Sequence, residues 1–242
     1  MEKYAIIERV SKNETQNEEN KLQKEDGKYV YCAILNNEKK CFGKIGINNG
    51  EVYTISFRDV AAVVSDSLVK DYELTEDNAQ KHETVIKQVM EEHAVVPAEF
   101  GTLIKNETIL RRLLSKAYLP TRECLKLVDG MVELGVKAVL KTALNENTPY
   151  DDAEKRKDCT ADILKSLKAH AKQTATSDLF SERLILNASF LVNKEGITAF
   201  SNEVERLQKK YPSLRFLYTG PWAPYNFVYI KIGAEGVEIT KK

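Results

Sequence analysis

The chain has no excess charge of either sign: 36 Lys and Arg stand against 36 Asp and Glu in 242 residues. That balance excludes the dominant basic surface on which phosphate backbones bind, so no nucleic-acid partner is expected. It also leaves little electrostatic protection against self-association near neutral pH. No apolar run approaches the roughly 20 residues that a membrane-spanning helix needs. The segment Met1 to Val10 carries Glu2, Lys3, Glu8 and Arg9 and has no unbroken apolar core, so no signal peptide is read there and a cytoplasmic location is expected. The four cysteines, Cys32, Cys41, Cys124 and Cys159, form no Cys-x-x-Cys pair. Metal spacing is therefore lacking, and in a reducing compartment they are expected to be buried or partly buried free thiols.

Catalytic signatures are equally sparse. Gly43, Gly46 and Gly50 precede no helix, and neither a Walker sequence nor a dinucleotide fingerprint occurs. There is no Gly-x-Ser-x-Gly elbow. Of the three histidines, His82 and His93 lie on one helical stripe eleven residues apart. That is about 16 Å along the axis, too far to share a metal within one subunit. They read as hydrogen-bonded core or boundary residues, and His170 as part of a solvated Lys-rich helix. Acidic pairs such as Glu91-Glu92 and Asp151-Asp152 are neighbours that do not face each other on a helix. Arg156, Lys157, Lys168 and Lys172 are offset by Asp151, Asp152, Glu154 and Asp158. No enzyme, no cofactor and no metal is expected from these residues.

What is present is a hydrophobic fraction of 43%, enough for one large or two modest cores. Ser11 to Gly27 is polar with a lone Leu22, and residues 1–27 are read as a flexible arm that cannot bury enough surface to order itself. A strand is expected at Tyr29–Leu35. A hairpin is expected between Ile45-Gly46-Ile47 and Val52–Phe57 across Asn48-Asn49-Gly50, and another strand within Asp59–Ser65. Thr75 caps a helix whose stripe is Ala79, His82, Ile86, Val89 and His93, broadened by Val85 and Met90. Asn106 opens a second helix that Pro120 kinks or divides, and Asp129-Gly130 closes it.

From there the pattern is strand Val132–Thr142, helix Asp151–Gln173, strand Leu184–Val192, helix Thr198–Lys210, then strands Arg215–Tyr218 and Phe227–Ile232. The fold class is α+β. Residues 28–130 are expected to form an N-terminal α+β domain. Residues 131–242 are expected to form a ferredoxin-like domain with helices packed on a mostly antiparallel sheet.

Two segments are distinctive. Val95-Val96-Pro97-Ala98-Glu99-Phe100-Gly101-Thr102 leaves a helix through a proline and sets an aromatic beside a glycine. Tyr218-Thr219-Gly220-Pro221-Trp222-Ala223-Pro224-Tyr225-Asn226-Phe227-Val228 places two prolines around the one tryptophan. Such a stiff aromatic bend either fills the corner of a core or presents an amphipathic docking surface. The candidate partner-binding or fold-defining residues are Pro97, Phe100, Gly101, Pro221, Trp222, Pro224, Tyr225 and Phe227.

Together with Tyr29-Val30-Tyr31, Ala61-Ala62-Val63-Val64-Ser65, Leu113-Leu114 and Glu133-Leu134-Gly135-Val136-Lys137, these segments resemble the gas vesicle protein F/L family (GvpF/GvpL) from about Lys28 to Val228. One departure is Glu99, where that family often carries a basic residue. The resemblance implies an accessory protein of gas vesicle assembly with two α+β domains, the second ferredoxin-like. It implies contact with the hydrophobic major shell protein and with other accessory proteins, and a cytoplasmic location at the vesicles. A different class of reading, a ligand-sensing regulatory module, would require a pocket between domains with converging polar groups.

Overall fold

The computed structural model describes residues 27–68, 72–141, 152–233 and 236–241. The arm assigned to residues 1–27 lies outside them but for Gly27. The first sheet is built on β1 (Gly27–Leu35), in which all residues but Leu35 are buried. Its neighbours are β4 (Val60–Ser67) on one side and two short strands, β5 (Val96–Pro97) and β6 (Leu103–Ile104), on the other. Beyond β4 lie β3 (Val52–Phe57) and β2 (Cys41–Gly43), giving the order β2-β3-β4-β1-β5. A bulge between Val30 and Cys32 shifts the β1–β4 register.

The hairpin into β3 differs from the expectation. Ile45-Gly46-Ile47 is not a strand; Ile47–Asn49 forms a 3-10 turn with Asn48 and Asn49 at positive φ, and the preceding strand that pairs with β3 is β2. The two asparagines favour a left-handed turn whether or not strands flank it at once, so the turn chemistry was legible and the strand boundary was not.

Helix α1 (Glu76–Met90) packs His82, Val85, Ile86 and Val89 onto the sheet. Its cap is as expected: the Thr75 hydroxyl accepts the Asn78 N–H at 3.2 Å. Thr75→Ala is expected to cost about 1 kcal/mol, since one orphan donor loses its acceptor. In a chain of this size that reads as a fall of roughly 2–4 °C in melting temperature; an unchanged melt would contradict it.

Helix α2 (Glu107–Leu127) covers the opposite face with Leu110 and Leu114 against Ile55, Ala62 and Val64. It runs through Pro120 without dividing. Pro120 and Lys116 are both on the exposed side, where water can satisfy the carbonyl that the proline cannot reach. Gly130, at φ 66°, ends the excursion.

The second sheet has the order β10-β7-β9-β8, all neighbours antiparallel. Its strands are β7 (Met131–Leu140), β8 (Gln173–Thr176), β9 (Leu184–Asn193) and β10 (Leu214–Trp222). Helices α3 (Ala153–Lys168) and α4 (Ile197–Lys210) lie in the connections before β8 and before β10. They bury Ile163, Leu167, Phe200 and Leu207 together with Leu134, Val136 and Phe190.

Three expectations differ from the structure in this half of the chain. The helix assigned to Asp151–Gln173 stops at Lys168, and Gln173 already belongs to strand β8. His170 therefore lies in the turn between them, not in a helix. The segment Phe227–Ile232 does not join this sheet: among the described residues β11 (Val228–Gly233) pairs only with β12 (Gly236–Lys241). That hairpin returns to the first sheet, with β11 beside β5 and β12 beside α2. One cluster of buried side chains runs from Tyr29, Val63 and Ile86 through Ala223 to Leu134 and Phe190, joining the layers. Cys32, Cys124 and Cys159 are buried, whereas Cys41, on the edge strand β2, is exposed.

Candidate partner-binding site

The Pro97–Gly101 segment is held from beneath by a relay. Pro97 pairs with Cys32 in the sheet, and the Ala98 N–H donates to the Tyr31 carbonyl at 2.9 Å. Gly101 has φ 81°, which frees its N–H to point inward. That N–H donates to the Tyr29 hydroxyl at 2.9 Å, and the hydroxyl lies 3.0 Å from His82 Nδ1. His82 Nε2 in turn lies 3.3 Å from the Ala98 carbonyl. One assignment satisfies every atom: Gly101 N–H to Tyr29 oxygen, Tyr29 O–H to His82 Nδ1, and His82 Nε2–H to Ala98 O. Burial pushes the His82 imidazole down to about 4 and raises the Tyr29 hydroxyl above its usual range, so both are neutral near pH 7. The half-buried Phe100 ring closes the group, 5.8 Å from the His82 ring and 6.3 Å from that of Tyr29.

The second segment begins at a bulge where β10 leaves β7, between Thr219 and Trp222. The Gly220–Pro221 peptide is cis. Gly220 has φ 114°, and a Cβ there would sit 2.7 Å from the Glu133 carbonyl oxygen, so no other residue fits. The buried Glu133 carboxylate ties down the far end of the loop: it accepts the Asn226 N–H at 2.8 Å and the Asn226 side-chain amide. Asn226 also donates to the Ser189 hydroxyl at 3.1 Å. Phe227 is buried in one cluster with Ala33, Val96, Leu125, Val128 and Leu191, whose members come from both sheets. Tyr225 is half-buried, and desolvation beside Glu83 raises its hydroxyl above the usual range.

Pro221 and Trp222 face outward. Pro221 is exposed and Trp222 half-exposed, with Lys87 Nζ 4.4 Å from the indole ring centroid. They form one wall of a groove of about 450 Å³ whose other lining includes Met90, Val132 and Ile197. Lys87, Glu91 and Lys194 form its rim, and Lys194 Nζ is fixed by a 2.9 Å bond to the Met90 carbonyl. An apolar lining with two lysines and one glutamate beside it can take an apolar side chain and, near the lysines, a carboxylate.

Of the residues singled out in the sequence, Pro221 and Trp222 line this groove, and Pro224, Tyr225 and Phe227 hold the loop that carries them. Pro97, Phe100 and Gly101 are not in it. Pro97 lies in the sheet opposite Cys32, and Phe100 and Gly101 close over Tyr29 and His82; His82 stands one position before Glu83, which acts electrostatically on Tyr225, so α1 backs both segments. Sequence reasoning missed Lys87, Met90, Lys194 and Ile197. The helical stripe marks Met90 only as core, and nothing local marks the others, which meet the loop only through the tertiary fold.

The architecture is that of crystallised gas vesicle proteins. The structure superposes on the crystal structure of the gas vesicle protein GvpF from Anabaena sp. PCC7120 with a TM-score of 0.70, at 23% identity, covering 83% of this chain and 97% of that one. The corresponding protein from Microcystis aeruginosa gives the same TM-score of 0.70 at 20% identity. At the level of sequence, the family model for gas vesicle synthesis protein GvpL/GvpF matches residues 27–154 and 150–229, and the chain belongs to that family. It is 38% identical over 211 residues to gas vesicle protein F2 of Halobacterium salinarum, covering 86% of this chain and 94% of the relative. It is 38% identical over 215 residues to gas vesicle protein F of Haloferax mediterranei, covering 87% and 97%. No helix among the described residues is long and apolar enough to cross a membrane.

Proposed function

We propose that this chain is a non-enzymatic accessory factor of gas vesicle assembly. In this reading it binds the hydrophobic shell protein, acts with other accessory proteins in the cytoplasm, and helps nucleate or build the shell. Family membership supports the process, and the groove beside Trp222 is the observation that carries the binding role. A shell subunit apolar enough to exclude water from a gas space needs an apolar surface to cover it before assembly. The Pro221–Trp222 wall offers such a surface on a loop that Glu133 and Phe227 hold rigid.

The same reading divides the chain near Gly130 into an N-terminal α+β domain, residues 28–130, and a ferredoxin-like domain, residues 131–242. The strand order β10-β7-β9-β8, with one helix in each of two crossovers, supports the ferredoxin-like description. The hairpin β11–β12 would then be the C-terminal domain's clasp on its neighbour.

The test is co-purification of the tagged chain with co-expressed shell protein, wild type against Trp222→Ala. A saturable complex is expected for the wild type. The variant is expected to hold the shell protein at least about 30-fold more weakly, the scale of a buried aromatic anchor. Its stability is expected to fall by no more than roughly 1 kcal/mol, because the ring is half-exposed. An equally tight complex in a folded variant removes Trp222 from the site. No complex with wild type, alone or with the full accessory set, sinks the binding role itself.

A further inference from the structure

A second surface, on the first sheet and independent of the groove at Trp222, has the opposite character. The short strand β2 covers β3 only at its beginning: Cys41 pairs with Tyr53, and the Thr54 N–H donates to the Lys40 carbonyl at 3.0 Å. Beyond that point the outer edge of β3 borders a bay of about 410 Å³. The Asn37–Lys39 loop, the strand residues Thr54–Ser56 and the first turn of α2 enclose it.

Three basic side chains line this bay, Lys39, Arg58 and Arg111, against one acid, Glu107. Glu107 is already engaged, accepting from Arg111 Nε at 2.8 Å. Arg111 is held in place a second time, because its Nη1 donates to the Ser56 carbonyl at 2.6 Å. Arg58 lies over the Phe57 and Tyr118 rings, 5.5 and 5.1 Å from their centroids. The adjacent Asp59 does not neutralise it, for that carboxylate accepts from Arg122 Nε at 2.8 Å and from the Tyr118 hydroxyl. Among the described residues neither Lys39 nor Arg58 has an ion-pair partner. In a chain with zero net charge this is a local excess of positive charge, set against a sheet edge on which the Thr54 N–H is taken by Lys40 and the Ser56 carbonyl by Arg111, so that strand alternation leaves the Thr54 carbonyl and the Ser56 N–H to face outward.

We propose that this bay binds an acidic, extended segment of a protein partner, which lies along the outer edge of β3 and places its carboxylates against Lys39, Arg58 and Arg111. The carboxylates would supply most of the affinity, and one pair of backbone bonds, to the Thr54 carbonyl and from the Ser56 N–H, would supply register. A phosphate group fits less well: the Glu107 carboxylate stands in the bay, and no glycine-rich turn offers converging N–H donors.

The experiment uses the full chain and a rhodamine-labelled hexapeptide alternating valine and glutamate, followed by fluorescence anisotropy at about 0.05 M and about 0.5 M salt. The glutamate peptide is expected to bind at low salt, to weaken at high salt, and to bind about tenfold more weakly to Lys39→Glu and to Arg58→Glu, each tested for a native melt. Both side chains are exposed, so both variants are expected to fold. The proposal is overturned if the glutamate peptide does not bind. It is equally overturned if a valine–glutamine peptide binds as well, if both charge reversals leave binding unchanged, or if tripolyphosphate binds at the bay where the peptide does not. None of these outcomes depends on whether Trp222 contacts the shell protein.

Discussion

Phe227→Ala is expected to lower the unfolding free energy by about 3–5 kcal/mol, the range for truncating a fully buried phenylalanine. The ring is 2% exposed. It belongs to one buried cluster with Ala33 of β1, Val96 of β5, Leu125 of α2 and Leu191 of β9, so the cluster draws on both sheets and on α2. Such a cavity cannot collapse by moving one element, because each is fixed elsewhere by its own ladder or helix bonds. Urea denaturation would report the loss as a lower midpoint at similar slope, and thermal melting as a fall on the order of 10 °C. A loss below about 1 kcal/mol would mean that the ring is not packed as described. Trp222→Ala, five positions earlier, is expected to do the reverse: little change in stability and a large change in partner binding. The pair of variants therefore separates the two roles that one short motif combines.

That combination follows from geometry. A loop that offers an exposed proline and tryptophan to a partner loses affinity if it must be ordered on binding. Here the ordering is already complete, because Glu133 holds both the backbone and the side chain of Asn226, and Gly220 permits the backbone to approach Glu133 where a Cβ would collide. The inward residues fix the outward ones.

How far this was legible in the sequence varies by element. Side-chain chemistry at helix starts was decisive. Thr75 and Asn106 cap the helices that they were expected to cap, with Asn106 Oδ1 accepting the Ile109 N–H at 2.9 Å. Strand β8 was not legible. Gln173-Thr174-Ala175-Thr176 has no apolar alternation, and Ala169, Ala171 and Lys172 before it are good helix formers, so local preference extended α3 past its end. Tertiary pairing with Ala188–Leu191 makes those residues a strand. The aromatic corner was visible as Gly-Pro-Trp-Ala-Pro. The groove beside it was not, because Lys87 and Met90 belong to a helix more than a hundred residues earlier.

Acidification should expose the role of His82. Its folded value is pushed to about 4 by burial, against 6.5 for the free side chain. Below 6.5 the unfolded chain binds a proton that the folded chain refuses. The stability that this group confers is thus complete above pH 6.5, falls as the pH drops, and is gone near pH 4. Over that window the loss amounts to roughly 3 kcal/mol. Structure gives the reason as well as the sign: a proton on Nδ1 would meet the Tyr29 hydroxyl, whose own hydrogen then has no acceptor while the Gly101 N–H occupies its other side. Half-buried Glu83, whose carboxyl is raised by desolvation, contributes in the opposite sense, gaining stability as it protonates. Asp66, Asp162 and Glu203, all lowered, lose theirs only toward the acid end of the window. The comparison that isolates the imidazole is urea unfolding of wild type and His82→Gln at intervals from pH 7.5 to pH 4. The variant is expected to be less stable at neutral pH and to have a flatter profile between pH 6.5 and pH 4. Parallel profiles would show that His82 does not govern the acid sensitivity, and that the relay beneath Phe100 and Gly101 survives protonation.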